Sequence, residues 1–176
     1  MAIPAAYEHP EPSEYAPYQK AYLDLVPEAD ILQCLRDQLN EVIAPLGGVP
    51  ESRGDYAYAP GKWALKEVLS HMSDTERVLS YRALRIARGD TITPQSFDQD
   101  AWVAQSACAG RTLAGLLDEV RTVREATLSL FRSLDTGVLL NRGTTNTGNV
   151  FTVRAVPYII AGHTRHHLGI IRERYL

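Results

Sequence analysis

Apolar residues recur at three- and four-residue intervals through four long segments of this chain, and no long alternating pattern suggests a sheet. The first segment carries Ile31, Leu32, Leu35, Leu39, Val42, Ile43 and Leu46 after Pro27, and Gly47-Gly48 and Pro50 stop it. The second runs from Trp63 to Arg88 and closes at Gly89-Asp90. Thr112 caps the third, whose stripe is Leu113, Leu116, Leu117, Val120, Val123, Leu128, Phe131 and Leu134. Between them, residues 91–110 hold Pro94 and a short helical stretch from Asp100 to Gln105. After a Gly/Thr/Asn-rich loop from Arg142 to Asn149, Thr152 caps a fourth helix that runs to the C-terminus. Four amphipathic helices predict an all-α four-helix bundle. Pro157 falls in or near the first turn of the last helix, which therefore starts later than Thr152 or kinks there.

Residues 1–27 hold five of the ten prolines and four of the nine tyrosines, which excludes a long helix and predicts an extended N-terminal arm lying on the domain of residues 28–176. The chain of 176 residues suits one core. Its 18 basic and 21 acidic residues are interspersed, so nothing here resembles a phosphate-neutralising stripe, and no nucleic-acid partner is expected. No apolar run approaches the ~20 residues of a membrane span, and Met1 to Pro4 does not open a signal peptide, so no membrane partner and a cytoplasmic location are expected. Cys34 and Cys108 stand apart without CxxC spacing and are expected to pack, not to pair.

Three of the five histidines lie in Ala161-Gly162-His163-Thr164-Arg165-His166-His167. Val156, Ile160, His163, His167, Ile170 and Ile171 share one helical face, which turns His163 and His167 inward and leaves His166 outside it. On the second helix Ala64, Val68, His71, Thr75 and Val78 form the inward stripe, with Lys66, Ser70, Ser73 and Arg77 assigned to the outer side. Three inward imidazoles on two helices cannot all stay charged in a core, and one divalent metal satisfies their ring nitrogens together. Three neutral ligands with an open position are the catalytic pattern for such an ion. Spacing alone leaves hydrogen-bonded core histidines as the other reading, because Thr164 sits where HExxH has its glutamate. A di-iron carboxylate site lacks its E-x-x-H motifs. Asp74 is a candidate to orient a ligand or bound water, or else a surface charge paired with Arg77. Arg82 continues the His71 face and needs Asp98, Asp100 or an anionic ligand as partner; a structural ion pair is the expectation. His9 is expected at the surface.

At these residues the chain resembles a known family. The run from Gly61 through Trp63 and His71 to Arg77, then Tyr81 to Arg85 and Ala87 to Asp90, is similar to the DinB-like (DinB/YfiT) superfamily, as is the ending from Ala161 to Leu176. The resemblance implies a four-helix bundle of unusual connectivity, often dimeric, with one metal bound by His71, His163 and His167. It further implies a zinc or nickel ion, with manganese or iron as alternatives, and a thiol-dependent transferase or isomerase using bacillithiol, mycothiol or glutathione. The expected partners are thus a low-molecular-weight thiol and an electrophilic small molecule. A metal-dependent hydrolase and a non-catalytic metal-binding stress-response protein are the rival expectations.

Overall fold

The computed structural model describes residues 7–91 and 93–176, so the first six residues of the expected arm lie outside the described residues. Among the described residues there are six α-helices: α1 (Lys20–Leu23), α2 (Ile31–Leu46), α3 (Leu65–Ala87), α4 (Gln99–Gln105), α5 (Leu113–Ser133) and α6 (Ala155–Arg174). The four long ones, α2, α3, α5 and α6, form the bundle that the periodicity predicts. Their starts are fixed by side chains that accept otherwise unpaired N–H groups. Asp30 accepts from Gln33 N and Thr112 from Gly115 N, each holding a first turn. Glu67 accepts from Ala64 N at 2.7 Å and so caps α3 from within its first turn.

Two expectations need correction at the last helix and the loop before it. Helix α6 begins at Ala155, later than a cap at Thr152 places it, which is the later start that Pro157 suggested and makes that proline its third residue. The first four N–H groups of a helix have no internal acceptor, so the proline removes nothing there. Thr152 still serves the start, its Oγ1 accepting from Ala155 N at 3.2 Å. The segment read as a loop closes instead into a hairpin of β1 (Arg142–Thr144) and β2 (Val150–Thr152), antiparallel with Gly143 opposite Phe151. Strands of three residues are too short to leave an alternating signature.

The arm is not simply extended. Two 3₁₀ turns (Pro12–Glu14 and Pro17–Gln19) lead into α1, and Tyr7, Tyr15, Leu23 and Val26 enter the core. Glu14 anchors it: its carboxylate accepts from Thr152 Oγ1 and Arg154 Nε, both at 2.8 Å.

The apolar core is divided into two parts. One contains Leu35, Leu79, Ala83, Leu128, Phe131 and Ile160; the other contains Val42, Leu69, Met72, Val120, Leu168 and Ile171. Between them each bundle helix contributes buried polar side chains: Gln38, Glu76, Arg124 and Thr164. Arg124 uses all five of its N–H groups in this layer. It holds Glu76 through two bonds of 2.8 and 2.9 Å, the Leu35 carbonyl at 2.8 Å, Gln38 Oε1 at 3.2 Å and Thr164 Oγ1 at 3.0 Å. One side chain on α5 thereby ties together α2, α3 and α6. Gln38 also donates to the Ala161 carbonyl at 2.9 Å. The same layer contains His71, His163 and His167.

The outer-side assignment on α3 fails for three residues. Lys66, Ser70 and Ser73 are buried, because α3 packs against both α5 and α6 and its buried arc is wider than one stripe. Lys66 keeps its charge by pairing with Glu51 at 2.8 Å and Asp55 at 3.2 Å.

Candidate metal centre

The local sequence of α6 turns His163 and His167 onto one face one turn apart, and α3 presents His71 across from them. The three rings converge: His163 Nε2 lies 3.1 Å from His71 Nε2 and 3.1 Å from His167 Nε2. All three ligand atoms lie within 4.8 Å of one another. The residues are 4%, 8% and 9% exposed in the order His71, His163, His167, so water hardly solvates the group.

This geometry suits a shared cation and is a poor fit to neutral rings alone. A neutral imidazole nitrogen carries either one proton or one lone pair. His163 Nε2 therefore cannot make two full hydrogen bonds to the two nitrogens beside it. A cation accepting all three lone pairs removes that conflict, and three donors at 2.0–2.1 Å from one tetrahedral ion stand about 3.3 Å apart. The protonation states agree. Burial takes the His71 pKa down to about 4, against a weaker upward pull from Asp100. Burial, then the neighbouring His71 and His166, takes His167 down to about 3. Burial and the three surrounding imidazoles hold His163 well below its ordinary value. All three are neutral at pH 7, the form in which histidine binds a metal.

Aromatic neighbours fix the rings. Trp63 lies against His71 with centroids 4.7 Å apart and donates through Nε1 to Asp100 at 3.1 Å, which ties the start of α4 to the site. Tyr22 from α1 meets His163 and His166 edge-on at 5.7 and 5.5 Å.

A model of the DinB superfamily matches residues 32–171. The chain belongs to the DinB superfamily. Among solved structures, the fold of this DinB-superfamily chain is similar to that of YfiT from Bacillus subtilis, described as a probable metal-dependent hydrolase with an unusual four-helix bundle topology. The match has a TM-score of 0.71 at 16% identity, covering 97% of this chain and 95% of YfiT. A mycothiol-dependent maleylpyruvate isomerase is similar at TM-score 0.67 and 11% identity, over 84% of this chain and 61% of the isomerase. No curated protein sequence matches significantly. At such identities these likenesses establish the fold.

His166 is exposed and, among the described residues, meets the site through ring contacts with His167 and Tyr22. His9 is exposed and packs on Tyr158. Asp74 accepts from Arg77 at 3.1 Å, in an ion-pair chain that continues to Glu119 and Arg111. Its carboxylate has no imidazole partner among the described residues. Thr164, at the place of the HExxH glutamate, is taken up by Arg124. Burial pushes the Cys34 thiol up to about 11, in keeping with a packing role. Sequence reading missed the Arg124 layer, although Leu117, Val120, Arg124, Leu128 and Phe131 share one stripe and an arginine there signals a buried carboxylate partner.

Proposed function

We propose that His71, His163 and His167 hold one divalent ion, zinc or nickel, and that this chain is a thiol-dependent S-transferase-type metalloenzyme. One observation carries the reading: the histidines form walls of two separate cavities. His167 lines a cavity of about 310 Å³ with Trp63, Tyr58, Lys62 and Tyr175. His71 and His163 line a second of about 150 Å³, with Tyr22 and Arg82, and Gln99 contributes to both. A site that served stability alone has no use for two openings, whereas a bimolecular transfer needs two reactants to meet at one point.

When bound, a divalent ion in such a ligand set lowers the pKa of a coordinated thiol or water and leaves one position open for it. The protein's own residues supply the rest. The larger cavity has the room, the aromatic walls and, in Lys62, the charge to hold a low-molecular-weight thiol. The three neutral imidazoles add no negative charge that would raise the thiol pKa again. Trp63 and Tyr22 fix the rings, so little reorganisation is needed when substrates arrive.

Incubating metal-loaded protein with bacillithiol, mycothiol or glutathione and a chlorinated aromatic tests the reading. Thiol should be consumed well above the rate of the His163→Ala protein, and equal rates would count against transfer. A hydrolase is the second reading, supported by the fold likeness to YfiT. Turnover of an ester or amide substrate that is indifferent to thiol would favour it.

A further inference from the structure

We propose that the smaller cavity is a carboxylate site, in which Arg82 and Thr75 bind the acid group of a small anionic substrate beside His71 and His163. The proposal deepens the metalloenzyme reading and rests on it only in calling the bound acid a substrate.

Arg82, half-buried on α3, meets no carboxylate among the described residues. Eight of the fifteen arginines do meet one there, Arg77, Arg85, Arg111, Arg124, Arg154 and Arg165 among them. Arg82 lines the cavity and its guanidinium donates to the Gln95 carbonyl, one bond among the described residues for five N–H groups. The two carboxylates that the sequence offers are committed elsewhere: Asp98 caps α4 by accepting from Asp100 N and Ala101 N, and Asp100 accepts from Trp63. The expected structural ion pair of Arg82 is therefore not formed, which leaves the anionic ligand.

The second observation is independent. Thr75 Oγ1 is buried and has no hydrogen-bond partner among the described residues, and Thr75 also lines the cavity. Native proteins rarely leave a buried hydroxyl unmatched, and a carboxylate oxygen is a suitable acceptor. His71, Thr75, Leu79 and Arg82 follow one another along a single face of α3, all of them walls of this cavity. Arginine side chains on a helix lean toward its N-terminus, here toward Thr75 and His71.

Size and surroundings limit the ligand. A volume of about 150 Å³ lies well below the ~300–1,000 Å³ of pockets that take drug-sized ligands. That suits a carboxylate with two or three further carbons. Tyr18, Tyr22, Phe97 and Ile159 make up apolar wall, which strengthens a charge-assisted bond inside. The guanidinium is held ready: Gln95, its partner, is fixed from the hairpin by Asn146, which donates to Gln95 Oε1 at 3.0 Å and accepts from Ser96 N at 2.8 Å.

The test is titration of the metal-loaded full-length protein with propionate and, in parallel, its neutral isostere propionamide, read by saturation-transfer NMR. Propionate should bind at least about tenfold more tightly than propionamide, and Arg82→Gln should remove that preference. Arg82→Lys should retain part of it, and Thr75→Val should weaken propionate alone. Thermal melts identify any variant that fails to fold, and Thr75→Val with Arg82→Lys then carry the test. A preference for the acid that survives in Arg82→Gln would mean the carboxylate is held by the ion alone and would overturn the proposal. So would equal binding of acid and amide. Elemental analysis of the same samples judges the metal reading separately: Arg82-dependent propionate binding without stoichiometric metal would remove the metal and leave the carboxylate site standing.

Discussion

The Arg124 guanidinium donates to Thr164 Oγ1 at 3.0 Å, so the residue next to His163 is held from α5 by the same side chain that grips Glu76 on α3. The two helices that carry the three histidines are thus fixed to one another through a third. Arg124 is 1% and Glu76 6% exposed, and removal of either partner leaves a buried charge. Arg124→Met should cost about 3–5 kcal/mol of unfolding free energy in urea. Thr164→Val removes one bond to a charged group and should cost about 1–2 kcal/mol. The Arg124→Met/Glu76→Leu double variant should recover much of the single loss, and a double variant less stable than Arg124→Met would contradict this account.

Metal content should follow the geometry residue by residue. Protein purified without chelators or metal-affinity resin should contain one divalent ion per chain. His71→Ala, His163→Ala and His167→Ala should each lose it or bind it far more weakly, since two imidazoles remain from three. His166→Ala should keep full occupancy, because that ring packs against His167 and Tyr22. Asp74→Asn should keep it as well, its carboxylate being engaged with Arg77. Elemental analysis decides all five, and wild-type protein without stoichiometric ion would end the metal reading.

The bundle and the convergence of three histidines were legible because both depend on helical periodicity, the strongest signal a sequence carries. His71, His163 and His167 fell on inward stripes, and so they meet. What periodicity could not resolve was the breadth of each buried face. Lys66, Ser70 and Ser73 read as outer residues, since a polar side chain on a helix packed from two sides looks the same in sequence as one facing water. Thr164 and Arg124 escaped for a related reason: their pairing joins two helices forty residues apart, and no local pattern records it. The cavities depend on how α1, α4 and the hairpin lie over the bundle, which short and irregular elements do not announce.

Gly162 shows a close approach that the sequence does not advertise. A Cβ there would stand 2.7 Å from Tyr22 Cβ and inside contact distance of the Tyr22 carbonyl, which is backbone and cannot swing away. The α1–α6 contact that carries Tyr22 to His163 thus needs a glycine at this position. Gly162→Ala should force α1 off α6, at a cost of about 3 kcal/mol or more, while leaving Arg124 and the histidine cluster in place. Limited proteolysis should then cut the arm near Tyr22 faster than in the wild type, with the metal retained. Unchanged arm protection would refute the steric argument.

Acid should release the arm through Glu14. Burial alone would raise this carboxyl, but hydrogen bonds from Arg154, Glu11 N and Thr152 outweigh it and bring the pKa from 4.5 down to about 2. The folded pKa lies below the unfolded one, so the contribution is complete above about pH 4.5 and is lost as pH falls toward 2, the window in which the unfolded chain binds the extra proton. The shift corresponds to about 3 kcal/mol. The unfolding free energy of the wild type should exceed that of Glu14→Gln by an amount of this order at pH 6. The gap should close as pH approaches 2, and urea titrations at pH 6, 4 and 3 measure it. Since the comparison is between two proteins with the same histidines, proton competition at the metal site cancels. A gap that stays constant with pH would show that the Arg154–Glu14 pair adds no pH-dependent stability.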